Sequence, residues 1–499
     1  MLLAALLTTA QAQDPTLYRV DIPDYPNALI SSNHGSLLDH PPDDANYRPE
    51  PLPEPQEETG QATAWEALDA MNIEAWHEAG YLGQGVKLAV FDVQWTNAEL
   101  QEDELGEYET HDCYVHAGCT PAMDTLRPRF TYETGSHGLA CAEIVRDIAP
   151  EVELHLVRVN GLTTFENAAD WAVREDIDVV TLSMSFLNDS FYDGTGASAQ
   201  IVEGMARGGV LLTTSSGNYA DGHWREDFHD ADGDDFHDFP WGSPYLPVYF
   251  EPGKERSLSI TWDDFLSCGD TDLDAYLINS EGEVIGRGEK VQEHGSRSCV
   301  PVERVSGSVD EGQWVWLMVK RAAGDPATRW NLIATSSDVY HSMPEGSVTD
   351  PGTHPLAFTV GAARALGYGE DGPEDFSSWG PNASGDLMPD IIAPDGVTTL
   401  AYGAGSFYGT SAASPAAAAA VALVLSRFPE MDGYEAADWL KSRAVDDRTV
   451  WQQPNLGLGA GYLVLPDPTA SSGCVAPGGW QGAWIVLPLA CLRRRRGSV

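Results

Sequence analysis

The chain has 499 residues, more than the ~250–300 at which a single hydrophobic core stops growing, so it is expected to divide into more than one domain. Its 76 acidic residues against 28 basic ones leave a net charge of −48. That balance argues against nucleic acid as a partner, because phosphate binding needs clustered Lys and Arg; it favours solubility and cation binding, and says nothing about fold.

In chain order, residues 1–12 read as a signal peptide: a short apolar run ends in Ala10-Gln11-Ala12, the small-x-small form of a signal-peptidase site, with no basic residue ahead of it. Residues 13–61 are rich in Pro, Asp and Glu and read as a propeptide remnant or flexible leader. From residue 62 strands alternate with helices. Val86–Phe91 predicts a buried strand, and Cys141, Ile144, Val145 and Ile148 recur at the spacing of a helix with one buried face. Val152–Val159, Val179–Ser183 and Val210–Thr214 predict strands and Thr164–Arg174 a helix. This is an α/β pattern, a parallel sheet with helices on both faces.

The alternation breaks between residues 240 and 345, where short β-like runs (Ser257–Trp262, Ala275–Ile278, Trp314–Lys320, Trp330–Ala334) follow at the spacing of an antiparallel sandwich. The α/β pattern resumes at Ala357–Ala362. The expected organisation is therefore an α/β domain in two parts, 62–239 and 346–463, with a β-sandwich inserted at 240–345. Residues 464–499 form a linker and tail ending in Arg493–Arg496, whose apolar run is shorter than the ~20 residues a membrane span needs. Transient membrane association through that tail is the partner reading it allows, with a disordered basic tail as the alternative.

Seven cysteines suit an oxidising compartment, although the number is odd. Cys113 and Cys119 flank a five-residue loop and are expected to pair, Cys268 with Cys299 is the second expected pair, and Cys141 reads as a core residue. Asp230-Ala231-Asp232-Gly233-Asp234 spaces carboxylates around a glycine, which suits a hard cation such as Ca²⁺ at Asp230, Asp232 and Asp234, with Asp227 and Asp238 as further ligands; a solvated acidic loop is the alternative. The bidentate Glu of an EF-hand is missing.

Gly409-Thr410-Ser411-Ala412-Ala413-Ser414-Pro415 leads into an Ala-rich run apolar on every face, which must be a buried helix. Ser414 reads as its N-cap and Pro415 as its first helical residue. A serine at such an end sits where backbone N–H groups and the positive dipole end collect, so an oxyanion formed there is stabilised. His137 opens a packed helix, Asp92 stands at the carboxyl end of a strand, where open α/β sheets gather their chemistry, and Asn218 follows another strand with an amide to donate.

With Ser136-His137-Gly138, Val179–Ser185, Ser216-Gly217-Asn218, Phe376–Pro381 and Pro389–Pro394, the order Asp92, His137, Asn218, Ser411 resembles the subtilisin-like serine proteases, the subtilase family, over roughly residues 62–463. The resemblance implies a subtilisin-like fold and a secreted or cell-envelope endopeptidase. Ser411 would be its nucleophile, His137 its general base, Asp92 the residue orienting His137 and Asn218 an oxyanion donor. A peptide substrate would lie along Ser183, Met184, Ser185 and Gly217. The chemistry would need no cofactor, with Ca²⁺ as a structural ion only. The tail resembles carboxyl-terminal sorting tags of exported Gram-negative bacterial proteins. Departures from the family pattern are Val93-Gln94 after Asp92, Leu139 after Gly138, Ser185 in place of Gly and Ala416 after Pro415; none removes a proton-transfer group. A catalytically silent binding protein is the rival reading, and an α/β-hydrolase is a poorer one, since it needs Gly-x-Ser-x-Gly and another chain order.

Overall fold

The structure, a computed structural model, describes residues 63–96, 102–113, 118–121, 135–265, 271–292, 300–326, 328–335, 337–445 and 456–469, and the backbone of two strands, β1 (Leu17–Ile22) and β2 (Tyr25–Ser31). The signal peptide, most of the leader, the Cys268–Cys299 pair and the basic tail lie outside the described residues.

Helices α1 (Trp65–Ala70) and α2 (Glu74–Glu78) precede β3 (Lys87–Asp92). There follow α3 (Glu102–Leu105), β4 (Tyr108–Asp112), β5 (Thr120–Pro121), α4 (His137–Ile148), β6 (Glu153–Arg158), α5 (Leu162–Arg174), β7 (Val179–Leu182), α6 (Gly196–Arg207) and β8 (Leu211–Ser215). After an antiparallel stretch come β17 (Phe358–Arg364), β18 (Ile391–Asp395), the small pair β19 (Val397–Thr399) and β20 (Gly403–Phe407), α7 (Thr410–Arg427) and α8 (Gly433–Lys441). The large sheet runs β18-β17-β8-β7-β3-β6-β4-β5, parallel throughout except for β5. Strands covered on both faces carry apolar side chains on both. Leu88, Val90, Leu154 and Leu156 pack with α4 and α7 in one cluster, and Ala89, Phe91 and Val157 pack with α5 and α6 in another.

Between β8 and β17 the chain builds β9 (His223–Asp227), β10 (Leu246–Phe250), β11 (Arg256–Trp262), β12 (Asp272–Ile278), β13 (Val284–Gly288), β14 (Val302–Gly307), β15 (Gln313–Ala323) and β16 (Arg329–Ala334). They form two four-stranded antiparallel sheets, β10-β15-β12-β13 and β14-β11-β16-β9. Leu246, Val248, Leu317 and Leu277 of one and Ile260, Trp262, Trp330 and Leu332 of the other share one apolar cluster. These strands run from residue 223 rather than 240, because β9 pairs with β16 along Trp224↔Leu332, a long-range pairing with no local signal. The sheet resumes beside its point of departure: Phe358 of β17 pairs with Thr213 of β8.

The expected start of the Ala-rich helix is corrected. Gly409, at φ +113°, is its N-cap, and Ser414 and Pro415 lie inside it. Ser414 instead meets the buried Thr181 hydroxyl at 3.0 Å. Ala416–Val424 are fully buried, as a helix apolar on every face requires. No helix among the described residues is long and apolar enough to cross a membrane.

At the β4–β6 register pair Asp112↔Arg158 the carboxylate grips the guanidinium at 2.7 and 3.3 Å, both side chains fully buried. Breaking a buried pair by removing one partner costs about 3–5 kcal/mol. Asp112→Ala is therefore expected to lower the urea midpoint by a corresponding amount with an unchanged slope.

Candidate active site

Strand β3 ends on Asp92, which is fully buried. One carboxylate oxygen accepts the backbone N–H groups of Val93 (2.7 Å) and Gln94 (3.0 Å); the other lies 2.7 Å from His137 Nδ1. A carboxylate accepts only, so the proton sits on Nδ1 and Nε2 keeps its lone pair. The Trp95 indole N–H donates to the Asp92 carbonyl at 2.9 Å and closes the turn. Helix α4 approaches this strand end because its second residue is glycine: a Cβ on Gly138 would lie 2.8 Å from the Asp92 Cβ and 2.9 Å from the Gln94 carbonyl. The His137 side chain is 17% exposed, with the Phe407 ring edge-on at 5.6 Å. Burial pulls its pKa down, but the Asp92 charge and hydrogen bond outweigh it and hold the pKa above 6.5.

Ser411 is the second residue of α7. In a regular helix its carbonyl would accept from residue 415, but Pro415 has no N–H. The oxygen accepts instead from the Ser183 hydroxyl at 3.0 Å and the Cys141 thiol at 3.5 Å. Cys141 stands one turn beyond His137 on α4, so a single carbonyl ties the end of β7, the histidine helix and the serine together. Behind it the Gly409 N–H donates to buried Asp395 at 2.8 Å, and burial pushes that carboxyl up to about 8.

Asn218 is exposed in the loop after β8. Its amide oxygen accepts the Thr410 N–H (2.9 Å) and hydroxyl (2.8 Å), which fixes the amide and leaves Nδ2 beside Gly409. Gly217 donates to the Thr410 hydroxyl at 3.3 Å, and at φ +110° it packs where a Cβ would press on Tyr219, Ser378 and Thr349. Of the strand residues, Ser183 is committed to Ser411, Ser185 meets Thr349 at 2.7 Å, and Met184 is half-buried against the core. Sequence reading missed Thr410, Asp395, Phe407 and Thr349. Thr410 carried a signal, its place beside Ser411; the others come from remote segments.

The acidic loop follows β9, on the antiparallel sheets. Asp230 accepts the N–H groups of Gly233, Asp234 and Asp235 and faces Arg321 at 3.6 Å. Asp230, Asp232 and Asp238 bring one oxygen each within 4.8 Å, a set of hard oxygen donors that suits Ca²⁺. Asp234, expected in that set, is turned to the Phe236 N–H, and Asp227 pairs with Arg329. The Cys113–Cys119 disulfide is formed, and Cys141 is a free, buried thiol.

A parallel sheet whose carboxyl ends gather an Asp–His pair and a serine at a buried helix start is the architecture of a subtilisin-like fold. The subtilase family model matches residues 266–462, a span that includes Ser411 but not Asp92 or His137. The minor extracellular protease Vpr of Bacillus subtilis (strain 168) is 24% identical over 458 residues, 82% of this chain and 54% of that protein. Among solved structures the Clostridium perfringens CspB protease has a TM-score of 0.54 at 15% identity, covering 81% of this chain and 98% of its own. The chain is thus similar to the subtilases in sequence over residues 266–462 and in fold. It spans about half the length of the curated relative.

The His137–Asp92 geometry predicts a titration. Because its pKa is raised on folding, the charged pair adds stability in full below pH 6.5, and that stability fades as pH rises through the folded value. Asp92→Asn leaves burial to act alone, so NMR titration should show His137 moving from above 6.5 to below it.

Proposed function

We propose that this protein is an exported serine endopeptidase that cleaves protein substrates through an acyl-enzyme. The observation that carries the reading is the 2.7 Å contact of His137 Nδ1 with Asp92, on a helix whose next turn is bonded to the Ser411 carbonyl. In this reading Ser411 Oγ attacks the scissile carbonyl carbon while His137 Nε2 takes its proton. Asp92 keeps the ring in the required tautomer and stabilises the imidazolium. The oxyanion is met by the Ser411 N–H at the positive end of α7 and by Asn218 Nδ2. His137 returns the proton to the leaving amine, and water then releases the acyl group by the same path. The peptide adds as an extended strand at Ser183–Ser185 and Gly217.

Export is supported by the Cys113–Cys119 disulfide and by the extracellular relative. The antiparallel sheets from residue 223 to 334 are a separate domain inserted in the catalytic one, supported by their own apolar cluster. Asp230, Asp232 and Asp238 are the residues that would hold a structural Ca²⁺. Added Ca²⁺ should then raise Tm in the parent and not in Asp232→Asn.

A fluorophosphonate should label Ser411 in the processed protein; labelling elsewhere, or none, overturns the assignment. Casein hydrolysis unchanged in Ser411→Ala would favour another nucleophile, and its absence in the parent would favour a silent binding protein. Ser411→Ala and His137→Ala are expected to lower kcat about 10⁶-fold and Asn218→Ala about 10²–10³-fold, magnitudes known for subtilisin rather than derived from this geometry. Gly409→Ala places a Cβ 3.0 Å from Asn218 Nδ2 at a φ unsuited to alanine. Relieving that contact moves the donor, which should lower kcat with little change in KM. Activity should rise with pH along one ionisation whose midpoint lies above 6.5, since His137 must be neutral to accept a proton.

A further inference from the structure

On the far side of the sheet from α4, the β4–β6 edge carries a group of side chains that the proposed catalysis does not use. Glu109 and His111 alternate along β4 and so share a face, and Glu109 is in register with His155 of β6. Across the next pairing His155 stands opposite Ala89, which belongs to the cluster packed under α5 and α6. Three donor atoms converge. His111 Nε2 lies 3.2 Å from His155 Nδ1, and Glu109 Oε2 lies 3.6 Å from the first and 3.7 Å from the second.

From these separations we propose that His111, His155 and Glu109 form a Zn²⁺ site. A tetrahedral Zn²⁺ holds N and O ligands at about 2.0–2.2 Å, and the edge of that tetrahedron is then about 3.3–3.6 Å. The observed edges lie within 0.1 Å of that range at either end. Nitrogen with carboxylate is also a donor set that suits zinc.

The surroundings complete the case. Both imidazoles are buried, 6% and 4% exposed, whereas the Glu109 side chain is 65% exposed and gives an ion a way in. Burial and mutual repulsion hold His111 down to about 4; burial, opposed by Glu109 and Glu153 and reinforced by Lys87, also lowers His155. Both rings are thus neutral at pH 7, the form that ligates. Facing nitrogens at 3.2 Å must otherwise share one proton between two lone pairs, and a metal ion accepts both. Glu153 Oε1 stands 3.4 Å from His155 Nε2, on the side away from the cluster. Nε2 makes no hydrogen bond in this structure, and neither does His111 Nδ1; the carboxylate acts on the ring through its charge, which favours the proton on Nε2 and leaves Nδ1 bare toward the site. Trp171 walls the pair, with ring centroids 4.3 Å from His111 and 5.6 Å from His155. Water would complete the tetrahedron. An ion here would clamp β4 to β6 immediately before the Cys113–Cys119 loop, a structural role on the face opposite His137.

Asp92, His137 and Cys141 also bring donor atoms within 4.8 Å, so the test is made in a Ser411→Ala, His137→Ala chain, which removes that set and any self-cleavage. The chelator-stripped full chain is titrated with Zn²⁺ against a chromophoric chelator, and with Co²⁺ for the visible bands of a tetrahedral ion. One Zn²⁺ per chain at this site is expected, lost in His155→Ala and bound at least tenfold more weakly in Glu109→Gln. Glu153→Gln should weaken binding, by less than Glu109→Gln does. Zn²⁺ should raise Tm in the background chain and not in His155→Ala. Glu109→Gln alters an exposed side chain and so guards against a folding failure in the histidine variants. The proposal is overturned if the background chain binds no Zn²⁺, or if Glu109→Gln and His155→Ala bind it as the background does.

Discussion

The carbonyl oxygen of Ser411 has no helical donor, because the residue four positions on is Pro415. It lies in a core where an unpaired polar atom costs about 1–3 kcal/mol, so burying α7 demands donors from elsewhere. They come from Ser183 at the end of β7 and from Cys141 on α4. Three segments far apart in sequence are therefore pinned to one atom, and that atom belongs to the serine. His137 lies one turn ahead of Cys141, so the same bond that satisfies the helix also holds the imidazole helix against the serine.

The neighbouring contacts reinforce this arrangement with buried carboxylates. Glu143 accepts the N–H groups of Leu400 and Ala401, and Glu66 holds Thr398, both fastening the loop around β19. Asp395 holds Gly409 in the turn that starts α7. Burial pushes Glu143 and Asp395 up to about 8. These groups differ in kind from the rest of a chain with net charge −48: the surface carboxylates repel one another, whereas these bind backbone N–H groups and set loops.

The antiparallel sheets leave the parallel sheet after β8 and return into β17, its neighbour. An excursion whose ends are adjacent leaves the sheet's register intact, and its own tryptophan-rich cluster supports it from within. Asn218 lies at the point of departure, where Thr410 rather than the excursion fixes its amide.

Much of this is legible in the sequence. Apolar runs marked β3, β6, β7 and β8, because strands covered on both faces must be apolar throughout. Polar residues at strand ends and helix starts marked Asp92, His137, Asn218 and Ser411. The Ala-rich run declared a buried helix. Its start was misread by five residues, because Ser414-Pro415 has good capping chemistry and only packing shows that Gly409 turns the chain earlier. Strand β9 was hidden for the same reason. Local periodicity and composition thus determined which segments are strands and helices and which polar residues stand at their ends. Only the tertiary structure decided the donors to the Ser411 carbonyl, the orientation of Asn218 and the meeting of His111 with His155, since each depends on segments joined by sheet register rather than by neighbouring positions in the chain.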